Sequence, residues 1–223
     1  MAAAPSVIVF DVNETLSDMA PLQNRFEDIG APAFLAQVWF GALLRDGFAL
    51  AAAGGSAPFA VIGSDLLGRM LREVPLTRSL DDAVRHVMSS FMGLTLHADI
   101  VDGVRALSTA GLRLITLSNG SAQVAQALLG SGGIRGSFEA LLTVDDAPAW
   151  KPAAAAYAYA ADVCGVAPGD MLLVAVHPWD IHGAAEAGLR TAWLNRTGEA
   201  YPSYFAAPEF TVRELKELAA ALG

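Results

Sequence analysis

Cysteine is almost missing from this chain. Cys164 stands alone in 223 residues, so no intramolecular disulfide and no multi-cysteine zinc site can form. Its apolar, helix-like setting suits a buried structural thiol better than a nucleophile. Charge is sparse, and basic charge sparsest: 14 Lys and Arg face 23 Asp and Glu, for a formal net charge of −9. That sign argues against nucleic acid and against an anionic membrane as partners. A small anionic substrate stays open, because a local site can override the global field. No long apolar run is unbroken either. The stretch 48–63 is interrupted by Gly54, Gly55, Ser56 and Pro58, which excludes a helical membrane span there. The opening Met-Ala-Ala-Ala-Pro lacks the basic flank and apolar core of a signal peptide, so the expected location is the cytoplasm. Of the histidines, His86, His97 and His182 show no partner pattern and receive no role. The group His177, Asp180, His182 is too weak a pattern to predict a metal.

What the chain has in quantity is apolar residues, 54% of the total, enough for a globular core with a smaller inserted domain. Val7-Ile8-Val9-Phe10 reads as a buried parallel strand ending on Asp11. Further strands are expected at 112–117, 140–144, 171–176, 190–194 and 210–212. Helices are expected at 122–129, 153–163, 181–187 and 213–222, with Gly188 closing the third. Strand and helix in alternation imply an α/β fold with a doubly wound parallel sheet. The stretch 17–96 differs. Phe34, Leu35, Val38, Trp39, Leu43 and Leu44 recur at helical spacing, and 66–74 and 80–92 also read as helices, the latter capped by Thr77 or Ser79. The expected organisation is therefore a Rossmann-like core, 1–16 plus 97–223, with a helical cap inserted at 17–96.

Asp11 with Thr15, Ser118-Asn119, Lys151-Pro152 and Asp180 all fall at expected strand ends or just before helices. In a parallel sheet these ends share one edge and can converge. A lone Asp usually caps a turn; four converging segments favour chemistry. Asp11 is the candidate nucleophile, and Thr15 and Ser118 are hydroxyl donors that can orient its carboxylate. Lys151 keeps Asp11 ionised, and Asp180 pairs with Lys151 or helps to activate a water.

These residues, with Phe10-Asp11, Asn13, Thr15-Leu16, Leu117-Ser118-Asn119-Gly120, Lys151-Pro152, Tyr157, Trp179-Asp180 and Trp193-Leu194-Asn195-Arg196, resemble the haloacid dehalogenase superfamily, specifically its type II (S)-2-haloacid dehalogenase branch. The resemblance covers nearly the whole core. It implies substitution without a metal or other cofactor: Asp11 displaces halide from a short halogenated carboxylic acid, and water then hydrolyses the Asp11 ester to give a 2-hydroxy acid. Phosphatases of the superfamily carry a second Asp two residues after the nucleophile. Asn13 stands there and cannot act as an acid, which weighs against the rival reading of a Mg²⁺-dependent phosphomonoesterase. A second rival is a non-catalytic binding protein that keeps the fold.

The chain departs from the branch in several places. Where the resemblance implies a cap Arg just after a Trp, Trp39 is followed by Phe40, and Arg45 is the substitute to test, with a solvated helix charge as its ordinary reading. Ala175 and His177 stand where the branch has Ser and Asn. His177, intrinsically near neutral, is read as a general base for the hydrolytic water. Glu14 stands where many members have Gly; it caps the following turn or pairs with a cap Arg. Asn119 contacts substrate or builds a turn. Tyr157 is a site residue or a packed tyrosine with a satisfied hydroxyl. Phe40 and Trp179, with Trp39 and Phe59, are candidates for an apolar halide and alkyl pocket, though core packing is the usual fate of any one of them. High apolar content on a cap further suggests a homodimer.

Overall fold

Val7-Ile8-Val9-Phe10 is a strand in which every side chain is fully buried. A strand can bury both faces only when helices cover both faces of its sheet. In the computed structural model of the chain, residues 4–223 are described; Met1, Ala2 and Ala3, which open the stretch read above for a leader, lie outside them. The elements in chain order are β1 (Val7–Phe10), β2 (Ser17–Asp18), α1 (Leu22–Glu27), α2 (Leu35–Ala52), α3 (Phe59–Met70), α4 (Leu80–Met92), β3 (Thr95–Leu96), α5 (Ile100–Thr109), β4 (Arg113–Ser118), α6 (Ala122–Ser131), β5 (Ala140–Thr143), α7 (Ala154–Cys164), β6 (Met171–Ala175), α8 (Pro178–Glu186), β7 (Arg190–Leu194), β8 (Phe210–Val212) and α9 (Leu215–Leu222).

The chain divides into two units, one built from the chain up to Ser17 with Thr95–Gly223, the other from Asp18–Leu94. In the first, the sheet order is β5-β4-β1-β6-β7-β8, parallel throughout. This is the doubly wound arrangement, and its order reverses between β1 and β6. Alternation along β1 builds two cores. Ile8 and Phe10 pack with Ile100, Val104, Leu128 and Leu215 on one face. Val7 and Val9 pack with Tyr157, Ala160, Ile181 and Ala184 on the other. The strands β2 and β3 pair with each other, at the points where the chain leaves and re-enters this unit.

The second unit is helical. Trp39 and Phe59 both pack against Phe91, with ring centroids 5.8 and 5.1 Å away, and Trp39 Nε1 donates to the Gly63 carbonyl at 3.0 Å. Ser79 is the N-cap of α4, accepting from the Asp82 N–H. Three details differ from the sequence reading. The helix expected at 66–74 starts earlier and stops sooner, because Pro58 fixes its start and Phe59, Ile62, Gly63, Leu66 and Leu67 form its buried stripe. On α2 the buried face runs through Ala36, Trp39, Phe40 and Leu43, leaving Phe34 61% and Val38 49% exposed. The helices α1 and α5 were not foreseen. The first is a short segment that tertiary packing of Leu22 and Phe26 completes; the second carries a Gly where α9 packs closely against it.

Gly183 on α8 shows what the packing of the first unit demands. A Cβ there would stand 2.5 Å from Pro152 Cβ and 2.8 Å from the Tyr157 hydroxyl, closer than any real contact. We expect Gly183→Ala to destabilise the fold by about 1–3 kcal/mol, the usual cost of overpacking. A lowered urea midpoint with an unchanged m-value checks this; an unchanged midpoint would show that α8 can shift without cost.

Candidate active site

The C-terminal edge of the sheet gathers residues that are far apart in sequence. Asp11 follows β1 directly, and its backbone N–H donates to the Val174 carbonyl of β6 at 3.1 Å, so its side chain emerges at the switch point between those strands. Thr15, one turn later, donates its hydroxyl to Asp11 Oδ2 at 2.6 Å. The same hydroxyl oxygen accepts from the Val176 N–H at 3.1 Å, which ties the Asp11 turn to the end of β6. Lys151, after β5, reaches back to donate to Asp11 Oδ1 at 3.0 Å and to Asp180 Oδ2 at 2.5 Å. The other Asp180 oxygen accepts from the Tyr157 hydroxyl at 2.6 Å. Asp180 lies in the first turn of α8, which Pro178 opens.

Lys151 and Asp180 are completely buried and Asp11 nearly so. Burying an ammonium costs far more than a neutral group unless anions meet it, and here two do. Burial pushes the Asp11 pKa upward, but the Lys151 charge, with His177 and Thr15, outweighs it and holds the carboxyl well below the usual range. Lys151 behaves in mirror image: desolvation opposes its charge, and Asp11 with Asp180 raise its pKa above the ordinary value. Asp180 is raised, chiefly by burial and then by the neighbouring Asp11 charge. Burial and Asp180 together push the Tyr157 hydroxyl well up, so it serves as a donor.

His177 sits between two carboxylates. Its Nδ1 lies 3.3 Å from Asp11 Oδ2 and its Nε2 2.7 Å from Glu14 Oε2, and its ring stacks on Trp179 with centroids 5.1 Å apart. Burial alone would lower its pKa, but the hydrogen bonds and charges of Asp11 and Glu14 prevail and raise it to about 9. The two carboxylates thus favour the charged ring over its near-neutral intrinsic behaviour. Glu14 turns its carboxylate to His177 and does not cap the following turn with it. It holds φ at 61°, the one positive φ outside glycine among the described residues. For a residue with a Cβ that region costs about 1–3 kcal/mol, which explains why Gly suits the position.

Two hydroxyl and amide assignments change. Ser118 Oγ accepts from the Gly120 N–H at 2.9 Å and makes no hydrogen bond to Asp11; it shapes the turn after β4. The Asn119 amide is spent on the backbone of Lys151, donating to its carbonyl at 3.1 Å and accepting from its N–H at 3.0 Å. It therefore positions Lys151. Trp179, beyond stacking on His177, lies with its ring centroid 5.9 Å from Lys151 Nζ. His97, given no role from sequence, meets the Glu14 carbonyl through Nε2 at 3.0 Å, and Arg196 donates to the Thr15 carbonyl at 3.0 Å while pairing with Asp99. Only the departures from the family pattern at Glu14 and His177 could have pointed to that pair. Phe40 and Arg45 belong to the helical unit. Phe40 is buried, its ring 6.5 Å from that of Phe59. Arg45, 70% exposed, pairs with the adjacent Asp46. Among the described residues no three His, Cys, Asp or Glu side chains group as a cation cage; between Asp11 and Asp180 the positive charge is Lys151 itself. No helix among them is long and apolar enough to cross a membrane.

A family model described as haloacid dehalogenase-like hydrolase matches residues 5–188. The chain is 29% identical over 214 residues to an (S)-2-haloacid dehalogenase of Pseudomonas putida, covering 95% of this chain and 93% of that one. It is 33% identical over 132 residues, 59% of each chain, to haloacetate dehalogenase H-2 of Moraxella sp. (strain B). Among solved structures, L-2-haloacid dehalogenase RSc1362 is similar with a TM-score of 0.91 at 27% identity, covering 99% of both chains. The L-2-haloacid dehalogenase of Xanthobacter autotrophicus with chloropropionic acid covalently bound gives a TM-score of 0.88 at 25% identity, covering 98% of both.

The raised pKa of His177 has a stability consequence. Between the ordinary 6.5 and about 9 the folded ring keeps a proton that the unfolded ring has lost. Its contribution is therefore complete below that window and is lost as pH rises through it, by at most about 1.4 kcal/mol per pH unit. Urea unfolding of the wild type and of His177→Asn at both ends of the window tests this. The wild type should lose more stability on going alkaline; parallel losses in the two chains would show that the ring holds no extra proton.

Proposed function

The chain belongs to the haloacid dehalogenase-like hydrolases, and within them we propose that it is a metal-independent dehalogenase of short 2-haloalkanoic acids, yielding 2-hydroxy acids through an ester on Asp11. The observation that carries this reading is the buried ammonium of Lys151, 3.0 Å from Asp11 and 2.5 Å from Asp180. It keeps Asp11 anionic in a desolvated place, which is what a carboxylate nucleophile needs. The names of the similar proteins support the same substrate class.

In the first half of the reaction an Asp11 oxygen attacks the halogen-bearing carbon. The new C–O bond forms as the carbon–halogen bond breaks, and halide leaves with the bonding pair. Halide needs no proton to leave, which fits Asn13, an amide without an acidic proton. In the second half water adds to Asp11 Cγ, the bond from Cγ to the alkyl-bearing oxygen breaks, and the 2-hydroxy acid departs. Thr15 and Lys151 hold the carboxyl during both halves, Asp180 holds Lys151 and is itself held by the Tyr157 hydroxyl, Asn119 fixes the Lys151 backbone, and His177 handles the proton of the attacking water. The same reading places the enzyme in the cytoplasm as a homodimer, supported by composition and by the exposed Phe34, Val38, Val61 and Met92 of the helical unit; a monomer mass by light scattering would remove the dimer.

Halide release from racemic 2-chloropropionate and from chloroacetate, with EDTA present, tests the reading directly. We expect release to survive EDTA and to fall by roughly 10⁴-fold or more in Asp11→Asn, on the scale of other nucleophile deletions. Release of phosphate from p-nitrophenyl phosphate that requires Mg²⁺, without halide release, would replace the dehalogenase with a phosphatase.

A further inference from the structure

The geometry points to Arg196 as a positioning residue for the halide-releasing half of the reaction: by holding the Thr15 carbonyl it fixes the hydroxyl that orients the Asp11 carboxylate. The inference rests on the reading of Asp11 as the nucleophile. Arg196 closes the stretch Trp193-Leu194-Asn195-Arg196, which the mechanism above leaves without a part. It stands two residues beyond the end of β7, and Asn195 builds the turn that presents it. The Asn195 N–H donates to the Val212 carbonyl at 2.7 Å, and its Oδ1 accepts from the Gly198 and Glu199 N–H groups at 3.0 and 3.1 Å. The Arg196 side chain is mostly covered, 20% exposed, and lies against Asp99, 13% exposed. Nε and Nη2 donate to Asp99 Oδ1 at 3.2 and 3.1 Å, and Nη2 also donates to the Thr15 carbonyl at 3.0 Å.

Asp99 is the N-cap of α5, yet its carboxylate makes no cap hydrogen bond there. Oδ2 instead accepts from the N–H of Leu215, the first residue of α9, at 3.1 Å, and both oxygens accept from Arg196 Nη2. A planar guanidinium fixed on a carboxylate that is itself fixed has little freedom left, so the N–H aimed at Thr15 is preset. Thr15 is gripped from other sides as well. The carbonyls before and after it belong to Glu14 and Leu16; the first meets His97 Nε2 and the second accepts from the His97 N–H, both at 3.0 Å. Its hydroxyl oxygen accepts from the Val176 N–H, and the Val176 carbonyl in turn accepts from Trp193 Nε1 at 2.9 Å. Trp193 and Arg196, three residues apart, thus hold Thr15 by its side-chain end and by its backbone end. A β-branched side chain is stiff at χ1, so the hydroxyl goes where the backbone puts it. Thr15 is fully buried, with its hydroxyl 2.6 Å from Asp11 Oδ2. Releasing its carbonyl would let the hydroxyl drift, and the carboxylate would lose one of the groups that aim it at the carbon under attack.

The test is a double-mutant cycle on first-turnover halide release from 2-chloropropionate, in wild type, Arg196→Met, Thr15→Val and the two combined. Arg196→Met should lower the rate at saturation by about 100-fold, the scale of a small misplacement at the reacting centre, with the half-saturating concentration unchanged. In the Thr15→Val background no hydroxyl is left to place, and the same substitution should add no more than about twofold. Arg196→Lys keeps a cation on Asp99 and with it the brace between α5 and α9, but one ammonium does not reproduce the guanidinium fork. It should keep the urea midpoint and lose rate with the same dependence on Thr15, so the test stands even if Arg196→Met folds poorly. Equal fold-losses with and without the Thr15 hydroxyl, or a full rate in the folded variants, would reduce Arg196 to a brace between helices and leave the dehalogenase intact. Absence of halide from the wild type would remove the dehalogenase reading and this inference with it.

Discussion

One buried ammonium sets the terms for the rest of this site. Lys151 has no contact with water, and an unpaired charge so placed would cost several kcal/mol. The two carboxylates that offset that cost come from the ends of different elements, Asp11 from β1 and Asp180 from α8. The sheet order that places β1 beside β6, the Asn119 clamp on the Lys151 backbone and the missing Cβ of Gly183 all serve to bring three charges together at hydrogen-bond distance. Displacing any one of them leaves a buried charge uncompensated, so stability and nucleophile protonation are aspects of one electrostatic arrangement.

The parts of the fold that were legible in the sequence have local causes. Strands fully buried on both faces read as apolar runs, and their carboxylate or hydroxyl punctuation marks their ends, which is why Asp11, Lys151 and Asp180 could be brought to one edge before any coordinates. Helices whose signal lies in packing were harder to read. The segment α1 is too short for periodicity, α5 carries no expected element, and Phe34 and Val38 are apolar but exposed, which hides the phase of α2. Hydrogen bonding was the least legible. Ser118 and Asn119 stand at the expected strand end, but which partner a hydroxyl finds (the Gly120 N–H and not Asp11) or which backbone an amide clasps (that of Lys151) depends on distances between strands that no single segment encodes. The Glu14–His177 contact joins residues 163 positions apart.

His177 shows how context reverses an intrinsic property. Imidazole is near neutral in water, and burial alone favours the uncharged ring. Between Asp11 and Glu14 the balance shifts the other way. A net charge of −9 says nothing of this, since the chain's acidity lies mostly on its surface while the site alternates sign: Glu14, His177, Asp11, Lys151, Asp180. In that series three carboxylates share two cations, His177 between Glu14 and Asp11 and Lys151 between Asp11 and Asp180.

The chain's economy in lysine has a practical side. Lys151 and Lys216 are its only lysines. The first is sealed inside the protein; the second is more than half exposed on α9, where it pairs with Asp102 at 2.8 Å. Reagents that acylate lysine side chains therefore meet a single accessible lysine in the folded chain and, at alkaline pH, the α-amino group as well. Attachment to a resin or a sensor surface through Lys216 would tether the molecules by the same helix, and modification of Lys151 would report unfolding.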